Sequence, residues 1–263
     1  MKTILDKIVA DRRLAVEALK KSNPIGAVVA GIDPSRMANS LKKALTDNGA
    51  SGIIAEFKRQ SPSKGIINEK VTPEEVTKGY ADAGASGLSV LTEPLYFGGS
   101  DKDLQLVRRA NPLTPLLRKD FVVDDYQIAE AAALQADVIL LIAAVLSREE
   151  ILHFTQTAHQ FGLEVLLELH DEAELEKIVA EVDMIGINNR NLKDFSVDTE
   201  RSLKLLRKLP ADAVKVAESG LSNPATVDHL REGGFSGFLM GESLMKNDNP
   251  GLACREFIEK LKR

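Results

Sequence analysis

The sequence contains one cysteine, no tryptophan and four histidines among its 263 residues. The single cysteine, Cys254, cannot form an intrachain disulfide, so the composition fits a reducing compartment and we expect a cytoplasmic protein. His153 and His159 stand too far apart along one predicted helix to share a metal ion. Neither His-Glu-x-x-His nor Cys-x-x-Cys occurs. These absences predict a protein that uses no metal and no other cofactor.

The sequence also lacks a long apolar run and an excess of positive charge. The longest apolar run, residues 138–146, has nine residues, whereas a membrane helix needs about 20. Charges at Lys2, Asp6 and Lys7 interrupt any apolar export signal at the start. The formal net charge is -5, which is not the basic field of a protein that binds nucleic acid or an anionic membrane. We therefore expect neither partner.

From residue 51 onward, short apolar strands alternate with amphipathic segments. Such an alternation predicts βαβ units and a parallel sheet, and eight units spaced about 26 residues apart favour a closed barrel over an open sheet. No Gly-x-Gly-x-x-Gly follows the first strand, which disfavours a Rossmann fold. The predicted strands begin near Ile53, Gly87, Pro115, Val138, Glu164, Met184, Val214 and Gly237.

The predicted fold class is α/β, a (β/α)₈ TIM barrel over residues 51–263 that carries an N-terminal helical extension over residues 1–50. The extension shows one helical stripe from Ile4 to about Leu19 and a second helix from about Ser35 to Leu45. Its apolar stripes must pack on the barrel, because isolated helices of this length are marginal in water.

Polar residues concentrate where the apolar strands end, and catalytic groups of a TIM barrel lie at those carboxyl ends. One charged residue at a strand end is more often a solvated or helix-capping group. Convergence from five strands instead predicts an active site. The residues are Glu56, Lys58, Arg118, Lys119, Asp120, Glu168, His170, Asn188, Arg190, Glu218 and Ser219.

The last two loops carry glycines at Gly220 and Gly241. Glycine lets backbone N–H groups approach an anion closely, and the loops after strands seven and eight are the usual phosphate site of a TIM barrel. Tight turns alone would explain the glycines equally well, but the barrel pattern favours a phosphate site.

The same residues carry a resemblance to a known family. The combination Glu-x-Lys-x-x-Ser-Pro-Ser-Lys-Gly at 56–65, followed by Lys119-Asp120-Phe121, is similar to the signature of the indole-3-glycerol phosphate synthases. Further motifs match in order, and residues 4–11 resemble the extra N-terminal helix of that family. The resemblance covers nearly the whole chain, whose length fits the monofunctional form. The later motifs are Gly186-Ile187-Asn188-Asn189-Arg190-Asn191-Leu192, Ala217-Glu218-Ser219-Gly220 and Gly241-Glu242-Ser243.

The resemblance implies a carbon–carbon lyase of tryptophan biosynthesis. Its substrate is 1-(2-carboxyphenylamino)-1-deoxyribulose 5-phosphate, and its products are indole-3-glycerol phosphate, CO₂ and water. By resemblance Lys119 is the general acid on the carbonyl oxygen. Lys58, Glu56 and Glu168 share the remaining acid and base roles, while Asn188 and Glu218 orient the substrate and the lysine.

The resemblance also implies the binding residues. Arg190 lies near the substrate carboxylate, and the extension walls one side of the slot for the anthranilate ring. The phosphate and carboxylate site is formed by Ser61, Ser219, Gly220, Gly241 and the backbone N–H of Glu242, with Lys58. The apolar slot is formed by Phe97, Phe121, Leu192 and Leu239. The expected partner is a small phosphorylated substrate, and we expect a monomer.

Two other functions stay open on the sequence. A Schiff-base aldolase-type barrel lyase that acts on a phosphorylated sugar would also use a barrel lysine, but as a nucleophile. A non-catalytic module that binds phosphorylated sugars would need the phosphate loops but not Glu56, Lys119 and Glu168 together.

Overall fold

Eight parallel strands form a closed barrel in the computed structural model, which describes residues 3–190 and 196–261. The prediction of eight strands in a (β/α)₈ TIM barrel is confirmed. The strands are β1 Ile53–Phe57, β2 Gly87–Leu91, β3 Leu116–Lys119, β4 Val138–Ile142, β5 Glu164–Leu169, β6 Met184–Asn188, β7 Val214–Glu218 and β8 Gly237–Met240.

Helices cover the outside of the barrel and bury the outer face of each strand, which is why the strands are continuous apolar runs. A short 3₁₀ helix, Glu172–Lys177, stands where an α-helix would follow β5. The α-helices are α1 Ile4–Ser22, α2 Ile25–Ala30, α3 Leu41–Thr46, α4 Pro73–Asp82, α5 Pro94–Phe97, α6 Asp101–Ala110, α7 Asp125–Ala133, α8 Arg148–Gln160, α9 Thr199–Leu206, α10 Pro224–Glu232, α11 Glu242–Met245 and α12 Pro250–Glu259.

The sheet closes between its first and last strands. Ile53 of β1 pairs with Phe238 of β8, and Ile54 pairs with Leu239. On its other side β1 pairs with β2, where Glu56 stands opposite Ser89. Because all eight strands run in the same direction, their carboxyl ends and the loops that follow form one rim, which we call the mouth of the barrel.

The inside of the barrel is filled by apolar side chains, and α3 contributes to this filling. Leu41 and Leu45 of α3 pack with inward residues such as Leu166 and Val216. A β-carbon at Gly87, the first residue of β2, would lie 2.4 Å from Leu41 Cδ1. The strand therefore needs glycine at this position, and α3 closes the end of the barrel opposite the mouth.

The second predicted helix begins later than expected. Residues 35–40 are not helical, and α3 starts at Leu41 because Ser40 caps it: the Ser40 hydroxyl accepts a hydrogen bond from the Lys43 N–H at 3.0 Å. The carboxylate of Glu164 accepts from the N–H groups of Leu41 and Lys42 at 2.9 and 3.0 Å. The short helix α2 lies between the two helices that the sequence predicted.

The N-terminal residues lie at both ends of the barrel. Ile4, Leu5 and Ile8 of α1 line the mouth, whereas α3 fills the opposite end. A buried ion pair between Arg36 and Asp137 anchors the segment before α3. The expected packing across the mouth thus describes α1, and the sequence did not indicate the role of α3.

Gln60–Ser61 and Gly65–Ile66 form a small antiparallel hairpin after β1, which the sequence did not indicate. No helix in the described part of the chain has the length and apolar character needed to cross a membrane.

The position of α3 generates a prediction about stability. Leu41→Ala removes a side chain that is 0% exposed, so it should lower the free energy of unfolding by about 2–5 kcal/mol. Leu14→Ala is the matched control, because Leu14 is 71% exposed and its loss should change that free energy by less than about 0.5 kcal/mol. Urea titration followed by circular dichroism measures both. Equal effects would show that α3 does not belong to the core.

Candidate active site

A cavity of ≈ 370 Å³ opens at the mouth of the barrel. Its floor includes Leu140 and Ile142 of β4. Fifteen of the sixteen residues to which the family resemblance assigns a catalytic or binding role line it, and the remaining one, Leu192, lies outside the described residues. The fifteen are Glu56, Lys58, Ser61, Phe97, Lys119, Phe121, Glu168, Asn188, Arg190, Glu218, Ser219, Gly220, Leu239, Gly241 and Glu242.

Lys119 lies at the centre of a buried cluster of charges. Its Nζ atom is 3.1 Å from Glu168 Oε2 and 3.6 Å from Glu218 Oε2. Asn188 Nδ2 donates a hydrogen bond to the other oxygen of Glu168, Oε1, at 3.2 Å. These residues come from β3, β5, β6 and β7, so only the closed barrel brings them together.

The charges in this cluster shift one another's pKa values. Burial alone would lower the pKa of Lys119, but Glu168, Glu218 and Glu56 together raise it above its ordinary value. Burial would raise the pKa of Glu168, yet Lys119 and His170 hold it well below its ordinary value. Burial and then the neighbouring carboxylate of Glu168 raise the pKa of Glu218 well above its ordinary value. These shifts favour the ammonium form of Lys119, the ionised form of Glu168 and the protonated form of Glu218.

Space for Glu218 depends on a glycine in the next strand. A β-carbon at Gly186 of β6 would lie 2.2 Å from Glu218 Oε1. Any other residue at this position would displace the carboxyl group away from Lys119. Gly186 belonged to a recognised motif, but nothing in the sequence indicated which side chain it accommodates.

A second lysine forms its own pair on β1 and the loop after it. Lys58 Nζ lies 2.8 Å from Glu56 Oε1, and Ser89 donates to Glu56 Oε2 at 3.4 Å. Glu56 and Lys58 are two positions apart, so both side chains point into the mouth. Lys58 and Lys119 thus lie in the cavity with the carboxyl groups of Glu56, Glu168 and Glu218.

The loops after β7 and β8 form another wall of the cavity. Ser219 and Gly220 both have positive φ angles, 68° and 72°, and such a conformation is uncommon for serine. The backbone of this loop is held by Asn189, whose Nδ2 donates to the Ser219 carbonyl oxygen at 2.8 Å. The side chain of Glu242 is directed to Lys64 and Arg190, at 3.6 and 3.8 Å.

The remaining wall is apolar. Phe97 and Phe121 lie with their ring centroids 5.9 Å apart, and Leu239 and the three α1 residues at the mouth line the same cavity. The Glu93 carboxylate fixes the short helix that carries Phe97 by accepting hydrogen bonds from the N–H groups of residues 95–97. The cavity can therefore hold an aromatic ring beside its charged groups.

Helix α1 is tied to the strand that carries the central lysine. Arg12 Nη2 lies 2.5 Å from Asp120 Oδ2, and Thr92 donates to the same oxygen at 2.8 Å. The neighbouring Arg118 is 1% exposed and pairs with Glu130 at 2.6 Å. Arg118 and Asp120 are thus structural groups, whereas Lys119 between them points into the cavity.

The sequence placed His170 among the polar residues at the strand ends but gave it no role, and it did not single out the α1 residues that line the cavity. His170 lines the cavity and lies beside Glu168. Its position two residues after Glu168 was the available signal, since residues i and i+2 of a strand share a face. Residues 3–190 and 196–261 contain no group of three or more side chains placed to hold a metal ion.

Comparisons with known sequences agree with this geometry. A family model described as indole-3-glycerol phosphate synthase matches residues 5–257. The chain is 48% identical to the indole-3-glycerol phosphate synthase of Bacteroides thetaiotaomicron, over 99% of this chain and 100% of the relative. It is 42% identical to the enzyme of the same name from Salinibacter ruber, over 95% of this chain and 93% of the relative.

Solved structures resemble the chain in fold. A crystal structure of 3-hexulose-6-phosphate synthase superposes with a TM-score of 0.65 at 13% sequence identity, and the match covers 80% of this chain and 100% of that one. The Salmonella typhimurium protein of the same name gives a TM-score of 0.64 at 14% identity, over 79% of this chain and 97% of that one. At such identities the likeness concerns the barrel alone.

The coupled carboxyl groups generate a prediction about protonation. Glu168→Gln should lower the pKa of Glu218, because it removes a neighbouring negative charge and leaves Lys119 without its first partner. ¹³C NMR of the glutamate carboxyl carbons, followed against pH, measures the change. Glu256→Gln, on the exposed side of α12, is the control and should leave the Glu218 titration unchanged. A Glu218 titration that is unaltered in Glu168→Gln would contradict the proposed coupling.

Proposed function

The chain belongs to the indole-3-glycerol phosphate synthase family, and we propose that the charged groups at the mouth of the barrel carry out the reaction of that family. The enzyme is a carbon–carbon lyase of tryptophan biosynthesis. It closes the ring of 1-(2-carboxyphenylamino)-1-deoxyribulose 5-phosphate with decarboxylation and dehydration, and it forms indole-3-glycerol phosphate, CO₂ and water.

Lys119 is the general acid of the ring closure. As the aromatic ring attacks the ketone carbon, the carbonyl oxygen gains negative charge and takes a proton. The observation that carries this assignment is the position of Lys119 beside Glu168 and Glu218, at 3.1 and 3.6 Å. Because these carboxyl groups raise its pKa, Lys119 is protonated before the substrate binds.

Glu168, Glu56 and Lys58 serve the later steps. Loss of CO₂ returns an electron pair to the ring. Loss of the hydroxyl group as water then needs an acid at the leaving oxygen and a base for the proton that leaves the ring system. The ionised carboxylate of Glu168 suits the base, and Lys58, paired with Glu56 at 2.8 Å, suits a cationic acid. Asn188 and Glu218 orient Glu168 and Lys119.

The loops after β7 and β8 bind the phosphate group. Ser61, Ser219, Gly220, Gly241 and the backbone N–H of Glu242 provide hydrogen-bonding groups on one wall of the cavity, and Lys58 adds positive charge. The orientation of the Glu242 side chain toward Lys64 and Arg190 supports this assignment, since a free carboxylate would repel phosphate. Arg190 lies where it can meet the substrate carboxylate.

The aromatic ring of the substrate occupies the apolar wall. Phe97, Phe121 and Leu239 form the slot; Leu192, the fourth residue expected there, lies outside the described residues. We assign residues 51–263 to the catalytic barrel and residues 1–50 to an extension, of which α1 covers the slot. Excluding water from the mouth strengthens the interactions of the lysines and glutamates with developing charge.

A Schiff-base mechanism fits this site less well. An aldolase lysine attacks a carbonyl as a neutral amine, which requires a lowered pKa. The raised pKa of Lys119 instead favours the ammonium form. Sodium borohydride added with the substrate distinguishes the two, since it links a lysine covalently to the substrate only in the Schiff-base case.

The expected partner is the small phosphorylated substrate, and we propose that the protein acts as a monomer in the cytoplasm. The single cysteine, Cys254, cannot form an intrachain disulfide, which supports a reducing compartment. Burial raises the pKa of its thiol to about 12.

One assay tests the function. The protein is incubated with 1-(2-carboxyphenylamino)-1-deoxyribulose 5-phosphate, and indole fluorescence is followed together with CO₂ release. Both signals should rise in equal molar amounts. Binding without either signal would identify a phosphorylated-sugar binding module and contradict the proposal.

The general-acid role of Lys119 predicts the effect of its removal. Lys119→Met should leave the far-UV circular dichroism spectrum unchanged and reduce kcat by roughly 10²–10⁴-fold, the usual contribution of general acid catalysis. Lys260→Met, on the last exposed helix, is the control and should retain wild-type kcat. A loss of kcat below tenfold in Lys119→Met would contradict the assignment of Lys119 as the general acid.

Because α1 and α3 lie at opposite ends of the barrel, we expect two truncations of the N-terminal residues to have different effects. Removing residues 1–22 should leave a folded barrel with weaker substrate binding, because α1 covers the slot but adds nothing to the barrel interior. Removing residues 1–47 should also expose that interior, because it takes away Leu41 and Leu45. Thermal melting and steady-state kinetics on both chains measure the difference. Equal melting temperatures for the two truncated chains would contradict the structural role of α3.

A further inference from the structure

His170 is a buried histidine of the cavity to which the proposed reaction gives no role. It follows β5 directly and is 9% exposed. The other three histidines lie on outer helices and pair with surface carboxylates: His153 with Asp125, His159 with Asp183 and His229 with Glu200. Burial at the mouth thus distinguishes His170 from the rest.

The imidazole ring of His170 lies against Glu168. Its Nε2 atom is 2.9 Å from Glu168 Oε1, the same oxygen that accepts from Asn188 at 3.2 Å. The other oxygen of the carboxylate, Oε2, faces Lys119 at 3.1 Å. Glu168 is therefore contacted by a separate group on each side, and His170 occupies the side away from the lysine.

The backbone of His170 is fixed, whereas its ring keeps hydrogen-bonding capacity. The His170 N–H donates to Glu174 Oε2 at 2.7 Å. Neither ring nitrogen forms a well-aligned hydrogen bond within the described part of the chain. Catalytic hydrogen bonds are often loosely aligned before the substrate binds and tighten in the complex. The buried His170 ring, with its hydrogen-bonding capacity unused and its Nε2 atom 2.9 Å from the Glu168 carboxylate, is suited to hold that carboxylate during the reaction.

We propose that His170 is a positioning residue that acts through Glu168, holding the carboxylate ionised and directed toward Lys119 by donation from Nε2. The inference rests on the proposed function of Glu168 as a base. Other charged groups at the mouth come from strands that do not pair with β5: Lys119 of β3, Glu218 of β7 and Glu56 of β1. Glu174 lies on the 3₁₀ helix that follows.

This role has a consequence for the pH dependence of the reaction. His170 is one of the groups that lower the pKa of Glu168, so its removal should raise that pKa. The base works only when ionised, and activity is therefore lost as the pH falls through the pKa of Glu168. A higher pKa moves this loss to higher pH.

Two amide substitutions of His170 test whether it holds Glu168 by a hydrogen bond or only fills the space beside it. In His170→Gln the side-chain amide reaches about as far as Nε2 and can still donate to Glu168. In His170→Asn the amide is one carbon shorter and cannot. We expect His170→Asn to lower kcat by about tenfold or more, which is the effect of losing one hydrogen bond to a charged group, while KM changes little. The acidic limb of its pH profile should move up by about one pH unit. His170→Gln should stay near the wild type.

The control is His153→Asn, which removes an exposed histidine from a similar carboxylate pair and should leave kcat and the pH profile unchanged. The pKa of Glu168 is also measured directly by ¹³C NMR in each variant, so the inference is tested whether or not the substrate is turned over. A wild-type protein without lyase activity would refute the proposed function, and the NMR titration would still report on His170. An unchanged acidic limb and an unchanged Glu168 titration in folded His170→Asn would overturn the inference.

Discussion

Closure of the sheet between β1 and β8 is the constraint on which the remaining structure depends. The pairing of Ile53 with Phe238 and of Ile54 with Leu239 joins the first strand to the last. It thereby brings the carboxyl ends of all eight strands to one rim. Lys119 and Glu168 are 49 positions apart in the chain and make contact at this rim. An open sheet of the same strands would leave Glu56 and Glu218 far apart.

Because the charged groups at this rim are buried, they must pair with one another. An unpaired charge in a low-dielectric site is costly, so each ammonium group has a carboxylate within ion-pair distance. The pKa of the third carboxyl group, Glu218, is raised by burial and by the charge of Glu168, which favours its protonated form. The surroundings thus shift the pKa values of three ionisable side chains in ways that favour an acid at Lys119, a base at Glu168 and a hydrogen-bonding group at Glu218. The same physical demand explains why a histidine and an amide both lie against Glu168.

In the N-terminal residues, the sequence pattern predicted two helices but placed the start of the second one too early. The apolar stripe of α1 was evident, and residues of α1 line the mouth. The start of α3 was not, because it is set by Ser40 and by Glu164, a residue more than a hundred positions away that accepts from two N–H groups of the first turn. Likewise, the fit of Leu41 against Gly87 is a matter of shape between distant segments. No local periodicity reports such a contact.

The sequence alone determined the barrel, its eight strands, the rim on which chemistry takes place and the family to which the chain belongs. These depend on the period of apolar residues and on motifs of adjacent positions, which are properties of neighbouring residues. The tertiary structure alone decided that Lys119 lies between Glu168 and Glu218, that these groups shift one another's pKa values, and that Gly186 makes room for Glu218. Those outcomes depend on burial and on distances of about 3 Å between side chains from different strands, and such distances do not exist until the chain has folded.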